Sequence, residues 1–346
     1  MSRGAEDRVA DVRRLLRAAG EVHAGRALIA GDIRRTTGLT AEGVELGFES
    51  LEREASDSEL RALVVAAGHA SRVHVILSAN VFVAPLRAIA LARAAADRVT
   101  IRPSHSEPVF TRALVEASKD GAIGILDERD IANIDADEIH VYGRDASIAV
   151  VRARAAPGTT VRGHGAGMGV AVVTRSADIN SSAAALAADV VPFDQRGCLS
   201  PRLAIVEGEA GKALSFSKAL HAHLSAWGNR VPRGELSHEE QADTVRWHDA
   251  LVFAGQVWRG EHHSVALGPS DVQPVIAPPG RHVYVIAAKG WERVRMVLGH
   301  VARYVVAVGT DDPSRLAEIA PAHARVSALG HMQHPPLDGP VDRRAL

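Results

Sequence analysis

The chain has one cysteine, few aromatic residues, no excess of either charge sign and no long apolar run. Cys198 is the only thiol in 346 residues. No internal disulfide and no Cys-rich zinc site can form, so the fold rests on packing and a reducing compartment is expected. Lys and Arg total 40 against 41 Asp and Glu, a formal charge of -1, without a basic block. Phosphate backbones require concentrated Lys and Arg, so nucleic acid is not an expected partner. No run approaches the ~20 apolar residues needed to cross a bilayer, and no membrane span is expected. The stretch from Met1 to Leu16 is charged throughout and lacks a signal-peptide apolar region, while its acidic residues oppose a transit peptide. The expectation is a soluble, cytoplasmic protein. Aliphatic residues are what the chain has in quantity: 47% of it is hydrophobic and only 4% aromatic. Its length suits one large or two medium domains with ample core.

The first seventy residues read as helices. Val9, Val12, Leu15, Leu16 and Ala19 recur at helical spacing, with Gly20 placed to end the helix. Thr40 caps a second helix, and Ser56 or Asp57 opens a third. From about Arg72, short β-branched runs alternate with helical stretches: Val73 to Leu77, Pro85 to Ala96, Arg98 to Arg102, Pro108 to Lys119, Ala122 to Leu126, Glu138 to Tyr142 and Asp145 to Arg154. Such alternation predicts an α/β fold with a parallel sheet covered by helices. A boundary is placed near Ser176, giving a helical lead-in with a dinucleotide-binding unit over 1–175, a second α/β unit over 176–330, and a tail or edge strand over 331–346. A strand at Val170 to Val173 falls before that boundary, and the second unit carries helices at Ile179 to Val191, Ala213 to Trp227, His238 to Ala254 and Ser314 to Ile319, and strands at Leu203 to Val206, Val283 to Ile286 and Tyr304 to Val308.

Few residues carry recognisable chemistry. Cys198 lies in the loop Phe193-Asp-Gln-Arg-Gly-Cys-Leu-Ser-Pro201, where Arg196 and Arg202 favour a nucleophilic thiolate. Read alone it is equally a small buried apolar residue. Asn80 follows a strand in an open α/β sheet, where an amide donor stabilises an oxyanion, or else it serves an ordinary turn. The glycines at 163, 165, 167 and 169 alternate and do not spell G-x-G-x-x-G. They permit close backbone approach to a ligand or to a packed helix. His238 lacks the second histidine of H-E-x-x-H, His221 and His223 point to different helix faces, and His262 and His263 have no ligand set at metal spacing, so no metal site is expected. Trp227, Trp247, Phe253 and Trp258 read as core aromatics, with an acyl channel as the other reading.

Together these segments resemble the aldehyde dehydrogenase superfamily, most closely its acyl-CoA reductase branch, the LuxC-type fatty acyl reductases. Asn80-Val-Phe-Val-Ala-Pro85 is similar to the family's Asn-containing turn, and Val99-Thr-Ile-Arg-Pro-Ser104 to its strand ending in Lys-Pro-Ser. Ala136-Asp-Glu-Ile-His-Val-Tyr-Gly143 with Asp145 resembles a turn of the reductases. Asp194 to Pro201 resembles their nucleophile loop, and Ala328 to Asp338 their C-terminal signature. The resemblance implies a Rossmann-type cofactor domain beside an α/β catalytic domain, and a homo-oligomer. It implies Cys198 as nucleophile, Asn80 with the Cys198 backbone N–H as oxyanion hole, and Arg102, Ser104, Gly143 and Arg144 around NADP or NAD. The implied substrate is an acyl-CoA or acyl-carrier thioester, with an acyl-transferring enzyme as a further partner.

Two departures from the family shape the expectation. Hydrolytic aldehyde dehydrogenases carry a glutamate near the start of the glycine segment, where this chain reads Thr160-Val-Arg-Gly-His164 with no carboxylate between Pro157 and Ser176. Without that base the acyl group should pass to a thiol rather than to water, unless Glu207, Glu209 or Glu235 folds into the site. Arg102 stands in place of the family's lysine, and a guanidinium suits a 2′-phosphate, which tilts the expectation to NADPH. The expected activity is NAD(P)H-dependent reduction of an acyl thioester to an aldehyde through a Cys198 acyl-enzyme. The competing readings are an aldehyde dehydrogenase yielding acid or acyl-CoA, and a non-catalytic relative that binds a nucleotide or an acyl donor.

Overall fold

The structure, a computed structural model, describes residues 3–52, 54–251 and 255–344. It opens with α1 (Ala5–Ala24), α2 (Ala30–Thr37), α3 (Ala41–Glu49) and α4 (Asp57–Ala67). Local chemistry sets their starts: Thr40 accepts the Gly43 amide ahead of α3, and Ser56 and Glu59 form a reciprocal capping box ahead of α4. Gly20 does not end α1, which runs on to Ala24 with Gly25 at its C-terminal cap. A mid-helix glycine costs about 1 kcal/mol relative to alanine, and burial of Val22 in the added turn offsets that cost.

Next come β1 (Ala70–Ile76), α5 (Pro85–Ala95), β2 (Ala96–Arg102), α6 (Val109–Ser118), β3 (Ile123–Ile125), β4 (Glu138–Tyr142), α7 (Asp145–Arg154) and β5 (Thr160–His164). The strands form a parallel sheet in the order β3-β2-β1-β4-β5. Val73, Val75, Val99 and Ile101 pack on the side of α1, α4, α5 and α6, while Ile76, Ile139 and Val141 meet Ile148 and Val151 of α7 on the other.

The second unit comprises β6 (Met168–Val173), α8 (Ile179–Val190), β7 (Pro201–Glu207), α9 (Ala210–Arg230), α10 (His238–Leu251), β8 (Gln256–Arg259), β9 (Ser264–Gly268), β10 (His282–Ala288), α11 (Trp291–Val301), β11 (Val305–Thr310), α12 (Pro313–Leu316) and β12 (Arg325–Ala328). Its sheet has the order β12-β11-β6-β7-β10-β9-β8 and is parallel except for β8, which runs against β9. Along β6, Val170 and Val172 enter one core and Ala171 and Val173 the other, which is the double burial that a helix-covered parallel sheet requires.

Residues 165–167 connect the two sheets, so Met168–Val173, which precede the expected boundary at 176, belong to the second sheet. The helix expected over His238 to Ala254 ends at Leu251, and 252–254 lie outside the described residues. The C-terminal segment is neither a free tail nor an edge strand. The edge strand is β12, and the residues after it run back to the first unit, where Arg87 on α5 donates to the Pro335, Pro336 and Gly339 carbonyls at 2.7, 2.8 and 2.9 Å. Among the described residues no helix is long and apolar enough to cross a membrane.

Candidate active site

Cys198 sits in the loop between α8 and β7, and the approach to it is strained. Phe193, Asp194 and Gln195 have φ of 55°, 52° and 65°, a left-handed conformation that costs non-glycine residues of order 1–3 kcal/mol each. Buried contacts hold it. Asp194 is ion-paired with Arg281 at 2.7 Å. The Gln195 amide donates to the Pro201 and His282 carbonyls, and its oxygen accepts the His282 amide, each at 2.7 Å. The Phe193 ring packs edge-on to Phe82, 5.7 Å away, which ties this loop to the turn that carries Asn80.

A cavity of about 1010 Å³ opens between this loop and the C-terminal edge of the five-stranded sheet. Cys198, Asn80, Gly143 and Arg144 all line it. Open α/β sheets bind ligands at this edge. Asn80 is exposed in the β1–α5 turn, and its side-chain amide has no hydrogen-bond partner among the described residues. Gly143 gives its amide to the His164 carbonyl at 3.1 Å, and a Cβ there would meet nothing nearer than Ser147 at 4.0 Å. Arg144 is exposed and paired with Glu239 of α10 at 2.8 Å.

Arg102 and Ser104 lie at and just beyond the end of β2 and do not line this cavity. Ser104 Oγ accepts the Ser106 amide at 3.2 Å. Burial lowers the Arg102 pKa, and Arg129, which the sequence reading did not single out, lowers it further. Neither arginine has a carboxylate partner among the described residues.

Burial pushes the Cys198 thiol up to about 11, and Asp342 pushes the same way against Arg344 and Arg202. Of the two arginines expected to favour the thiolate, Arg196 is committed elsewhere: it donates to Glu240 at 2.7 Å and to the Thr37 and Glu235 carbonyls. Arg202 remains. It lines the cavity, its Nε is buried without a partner, and the sulfur of Cys198 is the group that opposes the lowering of its pKa by burial.

Asp342 is the carboxylate that sequence reasoning missed, because the segment carrying it read as a tail. It is buried on the cavity wall, with Arg344 Nε on one oxygen at 2.8 Å and Nη2 on the other at 2.7 Å. Burial raises its pKa, but the hydrogen bonds from Arg344 outweigh burial and hold it below the usual carboxylate range. The other wall carboxylates, Glu52 and Glu54, are exposed residues ahead of α4. Glu207 stands at the far end of β7, roughly 20 Å along the strand at about 3.3 Å per residue, and pairs with Arg315 at 2.7 Å. Glu209 pairs with Lys289 at 3.0 Å, and Glu235 does not line the cavity.

The alternating glycines are explained by packing. A Cβ at Gly163 would lie 2.5 Å from Ile148 Cγ2, at Gly165 2.1 Å from Asp145 Oδ1, at Gly167 2.3 Å from Val306 Cγ2 and at Gly169 2.3 Å from the Leu199 carbonyl. The segment lets α7, β11 and the Cys198 loop close onto one backbone. Trp227, Trp247 and Trp258 pack in the cores of the second unit and do not line the cavity. Phe253 lies outside the described residues. His221 Nδ1 and His263 Nε2 pair with each other at 2.9 Å.

Solved structures with this architecture include aldehyde dehydrogenases. The chain superposes on a NAD-dependent benzaldehyde dehydrogenase from Corynebacterium glutamicum with a TM-score of 0.71 and 16% identity, covering 96% of this chain and 84% of that one. A NAD-dependent aldehyde dehydrogenase from Sinorhizobium meliloti gives 0.73 and 13%, covering 93% and 75%. A gamma-glutamyl-gamma-aminobutyraldehyde dehydrogenase from Burkholderia cenocepacia gives 0.71 and 14%, covering 92% and 76%. A search of curated proteins returns no match. The family description for acyl-CoA reductase (LuxC) matches residues 59–340, a span that takes in both sheets, the Cys198 loop and most of the C-terminal segment. The chain belongs to the acyl-CoA reductase (LuxC) family of oxidoreductases and has the aldehyde dehydrogenase fold.

Proposed function

We propose that this protein reduces an acyl thioester, carried by coenzyme A or an acyl carrier, to an aldehyde through an acyl-enzyme on Cys198, with NADPH preferred to NADH. One observation carries the reading: Cys198 and an unbonded Asn80 amide face the same cavity, in which the one buried carboxylate, Asp342, already has both oxygens on a guanidinium.

The resting sulfur is a thiol, since burial holds its pKa near 11. Arg202 supplies the uncompensated positive charge beside it, and a buried cation without a counter-ion favours whatever anion forms there. Attack on the thioester carbonyl moves charge to oxygen, where the Asn80 amide and the Cys198 backbone N–H donate hydrogen bonds. Release of the substrate thiol leaves the acyl group on Cys198. With Asp342 held by Arg344, no buried carboxylate on the wall is free to activate water, and the acyl group is passed on by thiol exchange or reduction.

The residues present fit a nicotinamide dinucleotide. The parallel sheet presents its C-terminal edge, Gly143 leaves open space there, and Arg102 and Arg129 form a positive spot at the end of β2. When bound, the cofactor supplies hydride. Arg102 would hold its ribose phosphate, and Asn80 keeps its hydrogen bond on the acyl oxygen while Cys198 is released.

The test is aldehyde production from a panel of acyl thioesters with NADPH, using Cys198→Ala as control. Thioester-dependent aldehyde that Cys198→Ala does not form supports the reading. Tight NADPH binding with no aldehyde from any thioester would favour a non-catalytic binding protein.

A further inference from the structure

His164 is a buried polar group on the cavity wall with no role so far. It ends β5, is 8% exposed, and neither ring nitrogen makes a hydrogen bond of full geometry among the described residues, the Asp342 backbone being a weak contact only. A buried polar group without partners normally costs stability, so an unexplained one points to a ligand or a reacting group. The ring is stacked on Tyr142, centroids 4.5 Å apart and planes 15° from parallel, which fixes its orientation.

Two connections bring His164 to the nucleophile. Three residues carry the chain from His164 to β6, where the Gly169 amide donates to the Ser200 carbonyl at 2.9 Å, next to the Cys198 turn. Asp342 also acts on both, pushing the Cys198 thiol up and drawing the imidazole up.

We propose that His164 is a further catalytic residue, taking the Cys198 thiol proton as the sulfur attacks the thioester and handing it to the departing thiol. The inference rests on the acyl-enzyme reading above. The Cys198 S–H electron pair forms the new S–C bond, and its proton goes to an imidazole nitrogen. The substrate C–S bond breaks, its electron pair leaves on sulfur, and that sulfur takes the proton back. His164 ends neutral, and no oxidant or reductant is consumed.

The surroundings suit a proton carrier. Burial brings the imidazole to about 4, assisted by His140 on β4 and Arg162 on its own strand and opposed by Asp342 from the C-terminal segment, so it is unprotonated at neutral pH and, as a weak base, takes the proton only as attack on the carbonyl makes the S–H acidic. Its neighbours are otherwise committed: Asp342 is bound by Arg344, and His140 is hydrogen-bonded to Glu138 at 3.1 Å. The Tyr142 phenol keeps its proton because burial raises its pKa.

The experiment follows single-turnover acylation of Cys198 by intact mass, without reduced cofactor, from two thioesters of one acyl group. One is the coenzyme A thioester. The other is a nitrothiophenol thioester, whose thiolate leaves without a proton. His164→Ala should slow acylation from both thioesters, which share the proton removal from Cys198, but the coenzyme A thioester more, by about 10²-fold or more, because its leaving thiolate also needs the proton back, and both should recover with added imidazole. His164→Asn, which keeps polarity and approximate size, should show the same split if the alanine variant folds poorly. Equal loss with both thioesters and no imidazole rescue, or wild-type rates with both, would overturn the assignment. If wild-type Cys198 takes no acyl group at all, the parent reading has failed instead.

Discussion

The Asp194 carboxylate and the Arg281 guanidinium meet at 2.7 Å with 1% and 2% of their side chains exposed. Arg281 also donates to the Val231 carbonyl at 2.6 Å, so one buried cation joins the left-handed turn before Cys198 to the end of α9. Removing one partner of such a pair strands the other charge, at about 3–5 kcal/mol. Arg281→Met should lose about that much in denaturant unfolding, and adding Asp194→Asn should recover part of it. A loss below about 1 kcal/mol would show that the turn does not depend on the pair.

Asn80 has no partner for its amide among the described residues, so its removal should cost chemistry rather than structure. Asn80→Ala should lower kcat for acyl transfer by about 10²–10³-fold while Tm and cofactor binding stay near wild type. A fall in Tm, with the remaining folded protein fully active, would return the residue to an ordinary turn role.

Arg102 has no carboxylate partner among the described residues and sits beside Arg129. Arg102→Ala should weaken NADPH binding at least tenfold and leave NADH binding within about twofold, as read by fluorescence titration. An equal effect on both cofactors would remove the 2′-phosphate assignment.

Four buried histidines set an acid limit on stability. Burial is the first cause in each case: it brings His74, His164 and His263 to about 4 and His282 to about 3, from an unfolded value of 6.5. Between those values the unfolded chain binds more protons than the native one. The stability these groups contribute is therefore complete above about pH 6.5 and is lost as pH falls through the native pKa values. Tm should drop steadily from about pH 6.5 to pH 4.5, whereas a flat Tm across that window would contradict the neutral buried state.

The α/β alternation was legible because its strands are β-branched runs and its helices carry apolar faces and caps such as Thr40 and Ser56. Strand β5 was not, since Thr160-Val-Arg-Gly-His has one aliphatic residue and a glycine; packing of Gly163 against Ile148 makes the strand possible. The β8 and β9 hairpin is too short to show a period. At the site, Cys198 and Asn80 could be named from their local surroundings. Asp342, Arg344 and His164 could not, because they meet at the cavity only where a C-terminal segment folds back to the end of β5. Proximity of that kind leaves no spacing to read. The glycine segment was legible as close backbone approach, but whether to a ligand or to packed elements required the neighbours Ile148, Asp145, Val306 and Leu199.

The fate of the acyl group on Cys198 in the absence of reduced cofactor tests the central claim most directly. The protein is mixed with an acyl-CoA, freed of excess reagent, and followed by intact mass while released carboxylate is counted, before and after a second thiol is added. The account predicts one acyl group per chain, none on Cys198→Ala, slow loss to water and prompt discharge as the new thioester when the thiol arrives. Rapid release of free carboxylate before any thiol is present would contradict it and identify a hydrolytic aldehyde dehydrogenase.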